Sequence, residues 1–173
     1  MESKRASDLM IPLSEYPHMP YWFTLRQAMA TLRSSRIEVQ DKVSLPRAFL
    51  VFNEAYELLG IVRRRDILRG LEPHFLGSRS RGYRKLFDVK ADPDLMELGN
   101  GKVQSRIRER AERPVGEVMQ PIKVTLQHDD HLMTIIAAMV DNNLSMIPVL
   151  EDGSVVGVVR SVDVLDEVSK LVL

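Results

Sequence analysis

The chain has no cysteine. That excludes disulfides, thiol catalysis and cysteine-ligated zinc or iron–sulfur sites, and it agrees with a reducing, cytoplasmic compartment. Neither sign of charge is in excess, because 24 Lys and Arg balance 24 Asp and Glu. The molecule as a whole therefore does not attract nucleic acid or anionic lipid. No apolar run approaches the roughly 20 residues of a membrane span. Met-Glu-Ser-Lys-Arg at the start leads into no apolar signal core. The expectation is a soluble cytoplasmic protein without a membrane segment. Enzyme signatures are missing too. No nucleophile elbow, phosphate-binding loop or HExxH occurs, and Ser, His and Asp have no triad spacing. His18, His74, His128 and His131 make no metal motif. The pair His128 and His131 flanks Asp129-Asp130 at a helix-like start, where a solvated cap is the ordinary explanation. The chain is read as non-enzymatic, with no catalytic residue and no metal.

What the chain does have is repetition. Gly60-Ile61-Val62-Arg63-Arg64-Arg65-Asp66 and Gly157-Val158-Val159-Arg160-Ser161-Val162-Asp163 share one heptad: Gly, two apolar residues, Arg, two variable residues, Asp. Further matches stand in the same order. Asp8-Leu9-Met10-Ile11-Pro12 resembles Glu117-Val118-Met119-Gln120-Pro121. Leu25, Ala28, Met29 and Leu32 form an apolar stripe at helical spacing, as do Leu132, Ile135, Ile136 and Met139. Thr24 is the expected N-cap of the first helix, and Asp129 or Asp130 of the second. Asn142-Asn143 suits the second helix's end. Strand-like Ala48–Phe52 matches Met146–Leu150. Turns at Asn53-Glu54-Ala55 and Glu151-Asp152-Gly153-Ser154 follow, with Asp-Gly the stronger hairpin signal. The return arms are Leu58–Val62 and Val155–Val159, and a helix is expected to begin at each heptad Asp.

The layout strand, helix, hairpin, helix thus occurs twice over roughly 60 residues each. Two such units bury their apolar faces against each other. The fold class expected is α+β, with repeat 1 at 7–75, a connector at 76–112 and repeat 2 at 113–173. Met10 to Gly60 spans 50 positions and Met119 to Gly157 only 38. Most of the excess lies in Ser35–Pro46, either an extra strand or a long loop. Tyr16–Phe23, with two prolines, is a poor central strand. In the connector, Gly77–Lys85 is basic and rich in Gly and Ser, Asp92-Pro93-Asp94-Leu95 looks like a helix start, and Gly99-Asn100-Gly101 is expected to break it.

On these blocks the chain resembles a tandem CBS-domain protein, or Bateman module. Val118-Met119-Gln120-Pro121, Ile147-Pro148-Val149, Asp152-Gly153 and the Gly157–Asp163 heptad carry the likeness closely. The first copy is looser, with Val51 where the family's Pro stands. The resemblance covers about three quarters of the chain. It implies two pseudo-symmetrically packed CBS-type repeats acting as a regulatory, ligand-sensing module. It also implies a homodimer built through helices and an effector on another chain. No cofactor is required; AMP, ADP, ATP or S-adenosylmethionine is the implied regulatory ligand. By the same likeness Asp66 and Asp163 hold a ribose, and Ile122, Val124, Ile147 and Pro148 form a purine wall. Taken alone, those four read as apolar core strand.

The heptad chemistry stands beside that likeness. A carboxylate accepts two hydrogen bonds and suits a ribose diol; it equally suits a helix start. Gly60 and Gly157 allow close approach of a ligand or of another backbone. Arg63 and Arg160 depart from the family, which has Thr or Ser there. Guanidinium binds phosphate bidentately, so the pair either contacts an adenosine nucleotide or similar anion, or forms ion pairs that occlude the sites. The second case makes the chain a ligand-free dimerisation or docking scaffold. Arg63–Arg65, Arg69, Arg79, Arg81, Arg84 and Lys85 are the only basic concentration. With one aromatic among them, Tyr83, they read as solvated surface rather than a nucleic-acid platform. Tyr16, Tyr21, Trp22 and Phe23 are read as core or dimer contacts ahead of base stacking.

Overall fold

A computed structural model describes residues 4–39, 42–72 and 100–173 of the chain. Among them the helices are α1 (Ala6–Leu9), α2 (Leu25–Ser34), α3 (Arg64–Leu71), α4 (Asn100–Arg110), α5 (Leu132–Asp141) and α6 (Ser161–Val172). The strands are β1 (Ile11–Pro12), β2 (His18–Pro20), β3 (Ile37–Val39), β4 (Lys42–Ser44), β5 (Ala48–Phe52), β6 (Leu58–Arg63), β7 (Gln120–Pro121), β8 (Leu126–Gln127), β9 (Met146–Glu151) and β10 (Ser154–Arg160).

The elements form for local reasons. Thr24 caps α2 through a reciprocal box: its Oγ1 accepts from Gln27 N at 3.2 Å and Gln27 Oε1 accepts from Thr24 N at 2.8 Å. Asn143 ends the α5 region in the left-handed conformation with φ 51°. Asp152 and Gly153, at φ 49° and 80°, close the β9–β10 hairpin in the primed turn that suits strand twist. The prolines of 17–20 are tolerated because β2 is an edge strand, parallel to β5. The 35–46 excess is a two-stranded hairpin, β3 against β4.

Three boundaries differ from expectation. The N-cap of α5 is His131, because the Asp130 carboxylate is already used by Gln127 N at 2.7 Å. The heptad helices start at Arg64 and Ser161, so Asp66 and Asp163 occupy the third helical position. Asn100 and Gly101 open α4; the helix expected to end at residues 99–101 lies outside the described residues. Residues 77–85 and the start expected at 92–95 lie outside the described residues.

The two halves exchange their first blocks. One sheet runs β1-β10-β9-β8 and the other β2-β5-β6-β7. Block 6–12 therefore packs on the second half and block 115–121 on the first. Ala6 and Leu9 join a core with Leu126, Ile135, Ile147 and Val164, while Val115, Val118 and Met119 pack with Leu25, Phe49 and Ile67. Backbone bonds repeat the relation on both sides: Leu132 N donates to Lys4 O and Leu25 N to Arg113 O, each at 2.9 Å. A third apolar group, with Ile11, Tyr16, Ile37, Leu50 and Val158, lies where the two sheets meet.

The heptad glycines enforce the exchange. A Cβ on Gly157 would stand 2.5 Å from Ile11 O, and one on Gly60 2.5 Å from Gln120 O. Both obstacles are backbone, which cannot swing aside. Gly157→Ala is expected to cost about 1–3 kcal/mol by overpacking. Gly101→Ala, in a helix with nothing near the added methyl, should be neutral or stabilise by about 0.5–1 kcal/mol. Urea midpoints at unchanged slope measure both.

Candidate functional site

Each heptad leaves its strand at Arg and places its Asp at the third position of the helix that follows, so both side chains face the exchanged block. In the first half this arrangement is closed. Asp66 has no solvent exposure. Its Oδ2 accepts from Arg63 N and Arg63 Nε, each at 2.9 Å. Its Oδ1 accepts from Arg69 Nη2 at 2.5 Å, and from Arg63 Nη2 and Gln120 Nε2, each at 3.2 Å. Five donors saturate the carboxylate. Burial works to raise its pKa, but the Arg63 hydrogen bonds and the Arg63 and Arg69 charges hold it below the ordinary carboxylate value. Arg63 is raised in turn, chiefly by the same hydrogen bond.

In the second half the pair is open. Arg160 grips Asp163 with two parallel bonds, Nε to Oδ2 at 2.6 Å and Nη2 to Oδ1 at 2.7 Å. Arg160 Nη1 reaches across to Ser44 Oγ on β4 at 2.8 Å. Both side chains keep 14% exposure. They face a cavity of about 490 Å³, walled by Leu9, Met10, Val39, Val43 and Leu165 and carrying Asp8, Asp166, Glu167 and Lys170. Glu167 is a buried polar residue, paired with Lys170 Nζ at 3.2 Å.

The asymmetry follows from residues at equivalent repeat positions. Gln120, which closes on Asp66, corresponds to Ile11, which is buried in the core between the sheets. Arg69 corresponds to Asp166, so the residue one turn on is a donor in one half and an acid in the other. Gly70 corresponds to Glu167; a Cβ at Gly70 would meet Leu25 Cδ1 at 2.7 Å and Val118 Cγ1 at 2.8 Å.

Of the residues singled out in the sequence, the cavity gathers Arg160 and Asp163. Arg63 and Asp66 form the sealed pair. Gly60 and Gly157 touch exchanged backbone. Ile147 is fully buried in the second core and Val124 packs against it. Pro148 is buried in β9 opposite Val158. Ile122 is half-buried just after β7. Neither Ile122 nor Val124 lines the cavity. Tyr16 is core: its hydroxyl donates to Ala48 O at 3.0 Å. Burial pushes its pKa up, with Arg160 opposing and Asp163 reinforcing. Tyr21 and Trp22 are exposed and meet edge to face, and Phe23 packs on the first core. In the basic run, Arg64 Nη2 donates to Pro46 O at 2.9 Å; 79–85 and His74 lie outside the described residues. No cluster of metal-binding side chains and no helix long and apolar enough to cross a membrane occurs among the described residues. Ser44, Asp166 and Glu167 were missed from the sequence. The signal for the last two was the Arg69–Asp166 and Gly70–Glu167 contrast; nothing local marked Ser44.

Asp66→Asn is expected to destabilise the fold by on the order of 2 kcal/mol, since it strands two half-exposed arginines around a buried amide. The pH dependence has a definite sign. A carboxyl whose folded pKa is lowered stabilises fully above its unfolded value of about 4 and loses that contribution as pH falls toward the folded value. Chemical denaturation from pH 6 downward should show this acid loss in the natural chain and a smaller one in D66N.

Residues 115–170 match the family model of the CBS domain. No curated protein sequence matches the chain. Among solved structures, CBSX2 in complex with AMP is similar over 98% of both chains, with 15% identity and a TM-score of 0.62. The cytosolic domain of the Mg2+ channel MgtE in complex with ATP is similar over 96% of this chain and 49% of that one, with 22% identity and a TM-score of 0.60. The CBS domain of a membrane protein from Sphaerobacter thermophilus matches 95% of this chain and 87% of its own, at 20% identity and a TM-score of 0.63. Residues 115–170 therefore resemble a CBS domain in sequence, and the chain as a whole has the α+β fold of the CBS-domain structures.

Proposed function

We propose that this chain is a regulatory module that senses an adenosine-type ligand in one cavity, the one at Arg160 and Asp163, and passes the signal to another protein. The observation that carries the reading is that cavity. Its volume of about 490 Å³ lies within the range of small-molecule sites, and it opens beside the heptad acid on a fold whose neighbours were crystallised with AMP and with ATP. In this reading the Asp163 carboxylate accepts from a ribose diol, and Met10, Val39 and Val43 receive the base. Arg160 yields part of its grip on Asp163 and keeps Ser44. The ligand then works by binding one arrangement of the Arg160–Ser44 contact better than another. Asp66, saturated by five donors, takes no ligand. No step requires catalysis or a cofactor, and a cytoplasmic setting fits the reading.

One observation favours a second reading, a ligand-free scaffold: in both heptads a guanidinium already holds the Asp. Calorimetry separates the two. The sensing reading expects the natural chain to bind at least one of AMP, ADP, ATP or S-adenosylmethionine, with a rise in melting temperature. Asp163→Asn should weaken that binding at least about tenfold, the loss of hydrogen bonds to a charged acceptor. A natural chain that binds none of them, with binding gained only in Arg160→Thr, supports the scaffold.

The reading includes a homodimer through the second half. Met133 and Val140 on α5, and Val162, Leu165 and Val172 on α6, are exposed apolar residues in helical register. Their equivalents on α2 and α3 include Arg26, Arg33 and Arg65. A patch of this kind is ordinarily covered. The double variant Val140→Lys, Leu165→Lys is expected to sediment as a monomer where the natural chain sediments as a dimer. A natural chain that is monomeric at about 100 μM, far above the dissociation constant of a standard-size interface, refutes this part.

A further inference from the structure

We infer that the exposed rings of Tyr21, Trp22 and Tyr56, with the carboxylates of Glu54 and Glu57 beside them, form the surface on which another protein docks through an arginine-bearing segment. The patch shares no residue with the cavity at Arg160 and Asp163, so the inference stands whatever that cavity binds. Within the proposed function it supplies the face through which the module meets its effector.

Three large aromatic side chains stand in solvent at one end of the first half: Tyr21 at 36% exposure, Trp22 at 49% and Tyr56 at 59%. Each is held in place. Tyr21 N donates to Phe52 O at 3.0 Å, and the Tyr21 hydroxyl donates to Glu54 Oε1 at 2.9 Å. Backbone of the exchanged block lies beneath this ring, so near that a Cβ on Gly116 would stand 3.4 Å from Tyr21 Cδ2. Trp22 meets the ring edge to face, with centroids 5.2 Å apart. Tyr56 stacks on Phe52 at 4.7 Å. His18 Nδ1 donates to Tyr16 O at 2.9 Å, which leaves Nε2 to accept from the Tyr56 hydroxyl at 2.6 Å. Rings fixed in advance lose little freedom on binding, which is why Tyr and Trp are favoured at docking surfaces.

The fold does not require these rings. His128 N donates to Leu150 O as Tyr21 N does to Phe52 O, and Ser7 N donates to His128 O as Gly116 N does to Tyr21 O. His128 and Asp129 therefore hold the places of Tyr21 and Trp22, and the second half folds with polar side chains there. Tyr56 is kept against backbone preference. Its φ of 61° lies in the left-handed region that bulky residues avoid, where the second hairpin uses Asp152 and Gly153. Strain held at an exposed position points to function rather than to folding. The acids give the partner's chemistry. Glu54 accepts from the Tyr21 hydroxyl and Glu57 from Asn53 Nδ2, both neutral donors, and neither carboxylate has an ion pair among the described residues. A guanidinium suits both parts of the patch, laying its flat face on a ring and its fork on a carboxylate. The rings and acids line neither of the two cavities beside α6; they form open surface, which fits a protein segment rather than an enclosed small molecule.

Trp22 is the chain's one tryptophan, so its fluorescence reads the patch directly. The full chain is titrated with a blocked pentapeptide that alternates arginine with glycine, and with the lysine and glutamate counterparts. The arginine peptide is expected to change Trp22 emission saturably and to bind at least about threefold more tightly than the lysine peptide, which lacks the planar fork. The glutamate peptide should leave the emission unchanged. Glu54→Gln and Tyr56→Gly should each weaken arginine-peptide binding at least about threefold, the worth of one exposed ion pair or cation–π contact, and about 0.5 M salt should weaken it as well. Circular dichroism checks that both variants fold; should Tyr56→Gly not fold, Glu54→Gln decides. An arginine peptide that binds no tighter than its lysine or glutamate counterpart up to about 1 mM, or that binds the folded variants as tightly as the natural chain, overturns the inference. A Trp22→Ala chain that sediments in a different oligomeric state from the natural one also overturns it, because the patch is then a contact between copies of this chain.

Discussion

The contact on which the rest depends is between a glycine and a carbonyl that belong to opposite halves. Gly60 lies against Gln120 O and Gly157 against Ile11 O, at distances that admit no Cβ. Those contacts bring β7 beside β6 and β1 beside β10, and they carry the apolar residues of each first block into the other half's core. Neither half closes its core from its own sequence. The second half needs Ala6 and Leu9, and the first needs Val115 and Val118. Pairing residue 11 with 158 also commits the chain to contacts across almost its full length, the kind of closure that must be made before it is rewarded. The heptads then face the exchanged blocks because no other surface is left to them.

Within that frame, near-identical heptads reach different ends through a few neighbouring side chains. Gln120 adds a donor to Asp66, whereas Ile11 turns its apolar side chain into the junction between the sheets and adds none to Asp163. Arg69 brings a third cationic nitrogen to the first acid; Asp166 brings a second acid to the other. The β3–β4 hairpin exists only in the first repeat, yet Val39, Val43 and Ser44 wall the second half's cavity. Pseudo-symmetry therefore sets where the two Arg–Asp pairs stand, and the departures from it decide that one is enclosed by protein and the other borders a cavity.

Much of this was legible in the sequence. The stripes of α2 and α5, the Thr24 cap, the Asp152-Gly153 turn and the two hairpins have local causes, and each formed as expected. The exchange of blocks was not legible. Met10-x-Pro12 and Met119-x-Pro121 look alike, and chain order says nothing about which hairpin each one joins. The expected starts at Asp66 and Asp163 were late because these acids serve as third-position acceptors and side-chain partners, while extended Arg63 and Arg160 hold the true cap positions. At the glycines the sequence left ligand and backbone as equal partners, and the packing supplies the backbone. Arg63 and Arg160 stood open between anion contact and ion pair; the structure puts each guanidinium on its own heptad Asp, a partner three residues away that spacing alone does not distinguish from a phosphate.

The two Arg–Asp pairs differ most in how hard they are to open. Removing donors from the fully buried Asp66 leaves an uncompensated charge in low dielectric, at a cost of several kcal/mol, even though Arg63 itself is half-exposed. Asp66 has no exposure and five donors from three side chains and a backbone. Any ligand hydroxyl must displace one of them and gain no more than it removes. Asp163 keeps 14% exposure, borders the cavity and, among the described residues, is held by Arg160. That partner has a second anchor, Ser44, to hold part of its guanidinium when a hydroxyl takes over one carboxylate oxygen. The proposed site is therefore confined to the second half. There the Arg160 guanidinium is shared between Asp163 and Ser44 beside the cavity, and in the first half the Arg63 guanidinium is part of the fold.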